Sequence, residues 1–208
     1  MEGMSVAGMS AMGMNTGAVA GAIRDSARLL DAMAADEGFC ARVLEVAAML
    51  TGTLRGGGKL LLCGNGGSAA DAQHWAGELV SRFFYDRPGL PAIALTTDSS
   101  ILTAIGNDYG YERVFARQVE ALGGASDLLF ALSTSGDSAN VVAAVEAARA
   151  KGMRTVGFTG EGGGRLAGLC DLLVAIPSRI TPRVQEGHEV VGHLICQLVE
   201  AEIFPRPS

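Results

Sequence analysis

The chain has 208 residues, a formal net charge of −6, 49% hydrophobic and 18% charged residues, 29 glycines, four cysteines and three histidines. That length suits one compact domain with ample core, and the composition excludes a disordered chain. Net acidity with scattered arginines and two lysines, Lys59 and Lys151, argues against a nucleic-acid binder, and no apolar run nears the ~20 residues that span a bilayer.

Residues 1–16 are rich in Met, Gly, Ser and Ala and lack the basic start and apolar centre of a secretory signal. They read as a flexible tail ahead of a single domain over 17–208. From Gly17 to about Arg55, apolar residues recur at three- and four-residue steps and predict helix, ended by the glycines 56–58. Short apolar runs then predict strands at 59–64, 92–97, 127–133, 155–160 and 171–177. Helical segments are predicted near 69–83, 100–121, 138–151 and 183–203. Continuous apolar strands alternating with helices indicate an α/β fold: a three-layer, doubly wound, five-stranded parallel sheet with N-terminal helices. Ligands are expected at the carboxyl ends of its strands. The four cysteines, Cys40, Cys63, Cys170 and Cys196, show no Cys-x-x-Cys spacing and sit in apolar contexts. They predict reduced core thiols in a cytoplasmic protein.

Two turns have the form that holds a phosphate. Strand 59–64 runs into Gly64-Asn65-Gly66-Gly67-Ser68 and a helix, and strand 127–133 runs into Ser133-Thr134-Ser135-Gly136-Asp137-Ser138 and a helix. Free amides and the positive end of each helix dipole would face an anion there, with hydroxyls as further donors. An ordinary capped βα turn has the same composition. Neither turn matches a P-loop or a dinucleotide-binding fingerprint.

His74 and Glu78 lie four apart, on one face of a helix, close enough to share a proton or a divalent metal, or to form a plain surface pair. The other histidines, His188 and His193, fall in one window, Gln185 to His193. Gln185 and His193 are eight apart, about 12 Å of helical rise, a long reach for one ion within one helix. Glu189, four before His193, reads as a plain solvated pair. Gly77, inside the His74 helix, costs ~1 kcal/mol relative to Ala, and close packing against another helix or subunit would explain it.

Taken together, CGNGGSAADAQHWAGELVSRF, RPGLPAIALTTDSSILTAIGNDYGYERVFARQVEALG, LSTSGDSAN and VQEGHEVVGHLICQLVE resemble the phosphoheptose isomerases, sugar-isomerase (SIS) domain proteins, over about residues 20–204. The resemblance implies a SIS domain of flavodoxin-like topology. It also implies interconversion of sedoheptulose 7-phosphate and D-glycero-D-manno-heptose 7-phosphate, the entry to the heptoses of lipopolysaccharide, capsule or related glycans. It places one Zn²⁺ per subunit on His74, Glu78, Gln185 and His193. Substrate contacts fall on Asn65, Gly66, Gly67, Glu78, Asn107, Asp108, Ser133, Thr134, Ser135, Ser138 and Gln185. Glu78 and His193 would be the acid–base pair, with Asp71 near the site. Homotetramers with active sites at subunit contacts are implied too, acting on a small sugar phosphate.

Two positions depart from the family pattern. Asp137 stands where Asn or another non-acidic residue is common, and its charge beside a phosphate is expected to be mildly unfavourable. Pro182 stands where some members carry Asp. The opposing reading is a non-catalytic SIS-domain regulator of the kind that binds the replication initiator DnaA. Such a regulator lacks the residues matching Glu78 and His193, both present here. Other phosphosugar SIS enzymes, such as arabinose 5-phosphate isomerases, lack the His-x-x-x-Glu and Gln-x₇-His set.

Overall fold

The computed structural model describes residues 13–206, so most of the expected tail lies outside the described residues. Asn15 opens the first helix, α1 (Thr16–Ala35), its side chain accepting the Ala18 N–H at 2.9 Å. The stretch predicted as helical to Arg55 is two helices, in keeping with the N-terminal helices expected. Asp36 breaks it with extended backbone and caps α2 (Glu37–Arg55) by accepting the Phe39 N–H at 3.0 Å.

The rest alternates as predicted: β1 (Leu60–Cys63), α3 (Gly67–Val80), β2 (Ala92–Ala94), α4 (Ser99–Tyr109), α5 (Ala116–Leu122), β3 (Leu128–Leu132), α6 (Ala139–Ala150), β4 (Arg154–Thr159), β5 (Leu172–Ala175) and α7 (Thr181–Ile203). The helix expected over 100–121 is broken. Gly110 takes φ +85°, and a 3-10 turn over Tyr111–Arg113 separates α4 from α5.

All strand pairs are parallel, in the order β2-β1-β3-β4-β5. Alternate residues feed two cores, because successive side chains leave a strand on opposite faces. Leu60, Leu62, Leu128, Phe130 and Phe158 pack beneath α2, α3 and α7. Leu61, Cys63, Leu129 and Ala131 pack against Val119 of α5 and Val141 and Val145 of α6. Such double-sided burial is why the strands read as unbroken apolar runs. The chain reverses its direction of winding between β1 and β3, and the crevice at a doubly wound sheet's switch point is where ligands bind.

Cys63 and Cys196 are buried free thiols, but Cys40 is exposed, not in the core as expected. Burial pushes the Cys196 thiol up to about 12. No helix among the described residues is long and apolar enough to cross a membrane.

Candidate active site

The two small-residue turns meet at the switch point. Gly66, with φ +57°, turns the chain from β1 into α3. From the other side Asn140, in the first turn of α6, faces Asn65. Their amides bond reciprocally, each Nδ2 donating to the other's Oδ1 at 2.9 Å. Tyr111, which the sequence reading did not single out, donates its hydroxyl to Asn65 Oδ1 at 3.3 Å.

In the second turn the Ser133 hydroxyl accepts the Gly136 N–H at 3.1 Å and lies 2.9 Å from the Ser138 hydroxyl and 3.4 Å from that of Ser135. Ser138 stands at the α6 N-cap with no capping bond from its side chain. Gly136 has φ +74°, and a Cβ there would collide with the Gly163 carbonyl. Thr134 anchors the turn by accepting the Gly160 N–H on its carbonyl at 2.9 Å. The Asp137 carboxylate is engaged, accepting the Arg165 N–H at 2.9 Å. The leading amides of α3 and α6, those of Gly67 and Ser68 and of Ala139 and Asn140, precede the first bonded N–H groups, Ala69 to the Gly66 carbonyl and Val141 to that of Ser138. The crevice thus carries two dipole ends and a row of hydroxyls suited to an anion.

A second cluster lies two turns further along α3. His74 Nε2 is 3.1 Å from Glu78 Oε1 and 3.3 Å from His193 Nε2, which reaches in from α7. The imidazoles meet edge-on with centroids 4.9 Å apart, and the Phe83 ring lies 5.5 Å from that of His193. Glu189 is no solvated pair. Its Oε1 lies 2.6 Å from His74 Nδ1 and 3.2 Å from His193 Nε2, and its Oε2 accepts the Trp75 Nε1–H at 3.2 Å. The misreading has a plain cause: the sequence shows its helical neighbour His193, not the helix opposite.

Asp71, one turn before His74, has a buried Oδ2 with no hydrogen-bond partner among the described residues, and burial with the nearby Glu189 charge pushes its carboxyl up to about 6. His188 turns away into the core, its Nε2 donating to the Thr159 carbonyl at 3.1 Å, and burial pulls its imidazole down to about 4.

The structure does not bring every expected residue to one place. The Gln185 amide lies over Gly67, where a Cβ would collide with it, at the phosphate-type turns and not at His193. Asn107 and Asp108 end α4, where Asn107 Nδ2 donates to Asp108 Oδ1 at 2.8 Å. Gly77 faces open space within the chain, so no helix of this chain explains it.

A buried ion pair outside the sequence reading steadies the Glu78 end of α3. Arg87 donates to the carbonyls of Glu78 at 2.9 Å and Leu79 at 2.6 Å, and to Glu200 Oε2 at 3.0 Å. Glu200 also accepts the Phe83 and Phe84 N–H groups at 2.8 and 2.7 Å. Burial alone would raise the Glu200 carboxyl, but those amides and the Arg87 guanidinium outweigh it and hold the group below its usual range.

His74, Glu189 and His193 each offer a ligand atom within 4.8 Å of the others, with Glu78 against His74. Two imidazole nitrogens with carboxylate oxygens form the donor set of a zinc-type site, so the residues fit such an ion.

The chain is a doubly wound α/β domain with two small-residue turns meeting at its switch point, and the SIS domain family model matches residues 23–160. A phosphoheptose isomerase of Burkholderia pseudomallei (strain 1710b) is 59% identical over 186 residues, 89% of this chain and 94% of that protein. That of Aneurinibacillus thermoaerophilus is 54% identical over 182 residues, 88% and 92% of the two chains. Among solved structures, phosphoheptose isomerase GmhA from Neisseria gonorrhoeae superposes with a TM-score of 0.82 at 42% identity, covering 88% of this chain and 97% of that one. A phosphoheptose isomerase from Francisella tularensis gives 0.83 at 36%, covering 87% and 95%. The chain belongs to the SIS-domain family, within its phosphoheptose isomerases, and is a phosphosugar isomerase.

Proposed function

We propose that the chain converts sedoheptulose 7-phosphate to D-glycero-D-manno-heptose 7-phosphate through an enediol, in the cytoplasm, as the first step toward nucleotide-activated heptose for lipopolysaccharide or capsule. The observation that carries this is the meeting of Glu78, His74 and His193 across two helices, in a chain whose switch point is built for an anion. The turns at 65–67 and 133–138 hold the phosphate end; Gln185, Asn107 and Asp108 contact the sugar. Glu78 removes a proton from C1, beside the C2 carbonyl, and returns it to C2. His193 serves the oxygens, so O1–H and C1–H are broken while O2–H and C2–H are formed. One zinc per subunit, held by His74, Glu78, His193 and Gln185, would polarise the carbonyl as a Lewis acid. Asp71 stands beside this cluster as a further polar group.

The phosphate half and the imidazole half lie about 10 Å apart along α3 at ~1.5 Å per residue, counted from Gly67 to His74. A homotetramer with sites at subunit contacts closes that gap, the neighbouring chain completing each site. Exposed apolar side chains support assembly: Val80 and Phe84 flank the cluster, and a groove between α1, α2 and α7 is lined by Met33, Phe39, Leu44 and Leu194. The DnaA-binding regulator is not favoured, because the proton-transfer residues are present.

The test is incubation with sedoheptulose 7-phosphate in D₂O followed by NMR. Aldose product with deuterium incorporated beside the carbonyl is expected. Neither product nor exchange would overturn the reading.

A further inference from the structure

Glu189 has no part in the proton transfer or in the zinc ligands proposed above, yet it touches both His74 and His193. It lies on the Nδ1 side of His74, and the oxygen that meets Nδ1 is also 3.2 Å from His193 Nε2. One oxygen takes His74 Nδ1 at 2.6 Å, while His74 Nε2 points the other way, toward Glu78 and His193. Carboxylates face both ring nitrogens, Glu189 at Nδ1 (2.6 Å) and Glu78 at Nε2 (3.1 Å). An ion shared by Nε2 and Glu78 would take the Nε2 lone pair and leave the N–H on Nδ1, toward Glu189. The second oxygen accepts the Trp75 indole N–H at 3.2 Å. Trp75 is 1% exposed, lies edge-on to Phe158 and has Gly192 beneath it, so the indole is a fixed anchor. The carboxylate is thereby held from both ends and cannot swing away from the imidazole.

We propose that Glu189 is a positioning residue for a divalent metal: braced by Trp75, it fixes the Nδ1–H tautomer and ring orientation of His74, so that Nε2 presents its lone pair to the ion. This rests on the zinc reading above. Carboxylate–histidine pairs of this kind orient and strengthen a metal-ligating imidazole, and removing the carboxylate typically weakens metal binding 10–100-fold.

The test measures metal affinity and coordination on the purified full chain, independent of turnover. Zn²⁺ affinity is read by competition with a chromophoric chelator, and ligand geometry by the visible spectrum of the Co²⁺-substituted protein. Glu189→Ala is expected to bind Zn²⁺ about 10–100-fold more weakly than wild type. Its Co²⁺ spectrum should keep the wild-type shape once saturated. Glu189→Gln, which is isosteric, offers one acceptor oxygen to two donors and is expected to lose less. It also serves if the alanine variant fails to fold. Wild-type affinity in both variants overturns the proposal. A changed Co²⁺ spectrum at saturation overturns it too, since Glu189 would then be a direct ligand. Wild-type protein that takes up neither metal overturns the zinc reading itself, an outcome distinct from both.

Discussion

Gly192 lies beneath the indole of Trp75, so closely that a Cβ at Gly192 would overlap the ring. The neighbours of these residues are His193 and His74, whose Nε2 atoms are 3.3 Å apart. Backbone-to-ring contact between α3 and α7 therefore sets the spacing of the two imidazoles. Gly192→Ala is expected to destabilise the fold by about 1–3 kcal/mol through overpacking, seen as a lower urea midpoint. Zinc affinity should fall with it as the imidazoles separate. An unchanged midpoint and affinity would show that α7 slides freely past Trp75.

Glu78→Gln keeps the side chain's shape and removes its basicity. Isomerisation should drop about 10²–10⁴-fold, the usual contribution of a positioned general base, with an unchanged far-ultraviolet circular dichroism spectrum. Initial rates by coupled assay check it, and full activity would remove Glu78 from the role.

The sheet was legible because both of its faces are covered: LLLC and LLFAL show no polar alternation to confuse a strand with a surface helix. The break at Gly110 was less so, since the sequence on either side keeps helical spacing and only the residue's positive φ interrupts it. At the site, His74 and Glu78 announce themselves because helical neighbours four apart are visible in one dimension. Glu189 meeting His74, and Arg87 meeting Glu200, are contacts between elements more than a hundred residues apart, fixed by packing. Gln185 shows the opposite limit. Its type and spacing match a family pattern, but one chain leaves it against Gly67.

Arg87 and Glu200 are almost wholly buried, with side-chain exposures of 2% and 1%. Arg87→Met should cost about 3–5 kcal/mol, because it strands the Glu200 charge. The Glu78 end of α3 loses its carbonyl donors at the same time, so activity should fall in protein that remains folded. Chemical denaturation beside kinetic assay separates the effects. The depressed Glu200 carboxyl adds its own sign: its contribution is present above the unfolded value near ~4.3 and is lost as pH falls through the folded one.

His188 gives a second pH dependence. Its folded value of about 4 lies below the ordinary 6.5, so between them the unfolded chain binds a proton that the native core refuses. Stability should therefore decline as pH drops from 6.5 toward 4. Asp71, raised to about 6, pulls the opposite way over part of that range. The difference between wild type and His188→Gln isolates the histidine: urea midpoints at pH 7.5 and 5 should diverge more for wild type.

Shared sites can be tested by mixing. Assemblies re-formed from mixed Glu78→Gln and Ser135→Ala chains should, on the proposed shared-site arrangement, regain activity that neither has alone, since some sites then draw both intact residues from different subunits. Mixtures no more active than their parents would place each site within one chain.

The pairing of Leu60 with both Ala92 and Leu128 has a consequence for synthesis. β1, apolar on both faces, emerges early, yet its inner neighbour β3 leaves the ribosome only after the whole of α3 to α5. At about 5–20 residues per second that is a wait of several seconds. Before α3 and β2 follow, the chain already made can cover the nascent strand with α2, whose Val46 and Leu50 end in the same core as Leu60 and Leu62. The N-terminal helical pair is thus placed, by order of birth, to shield the sheet's first strand from aggregation.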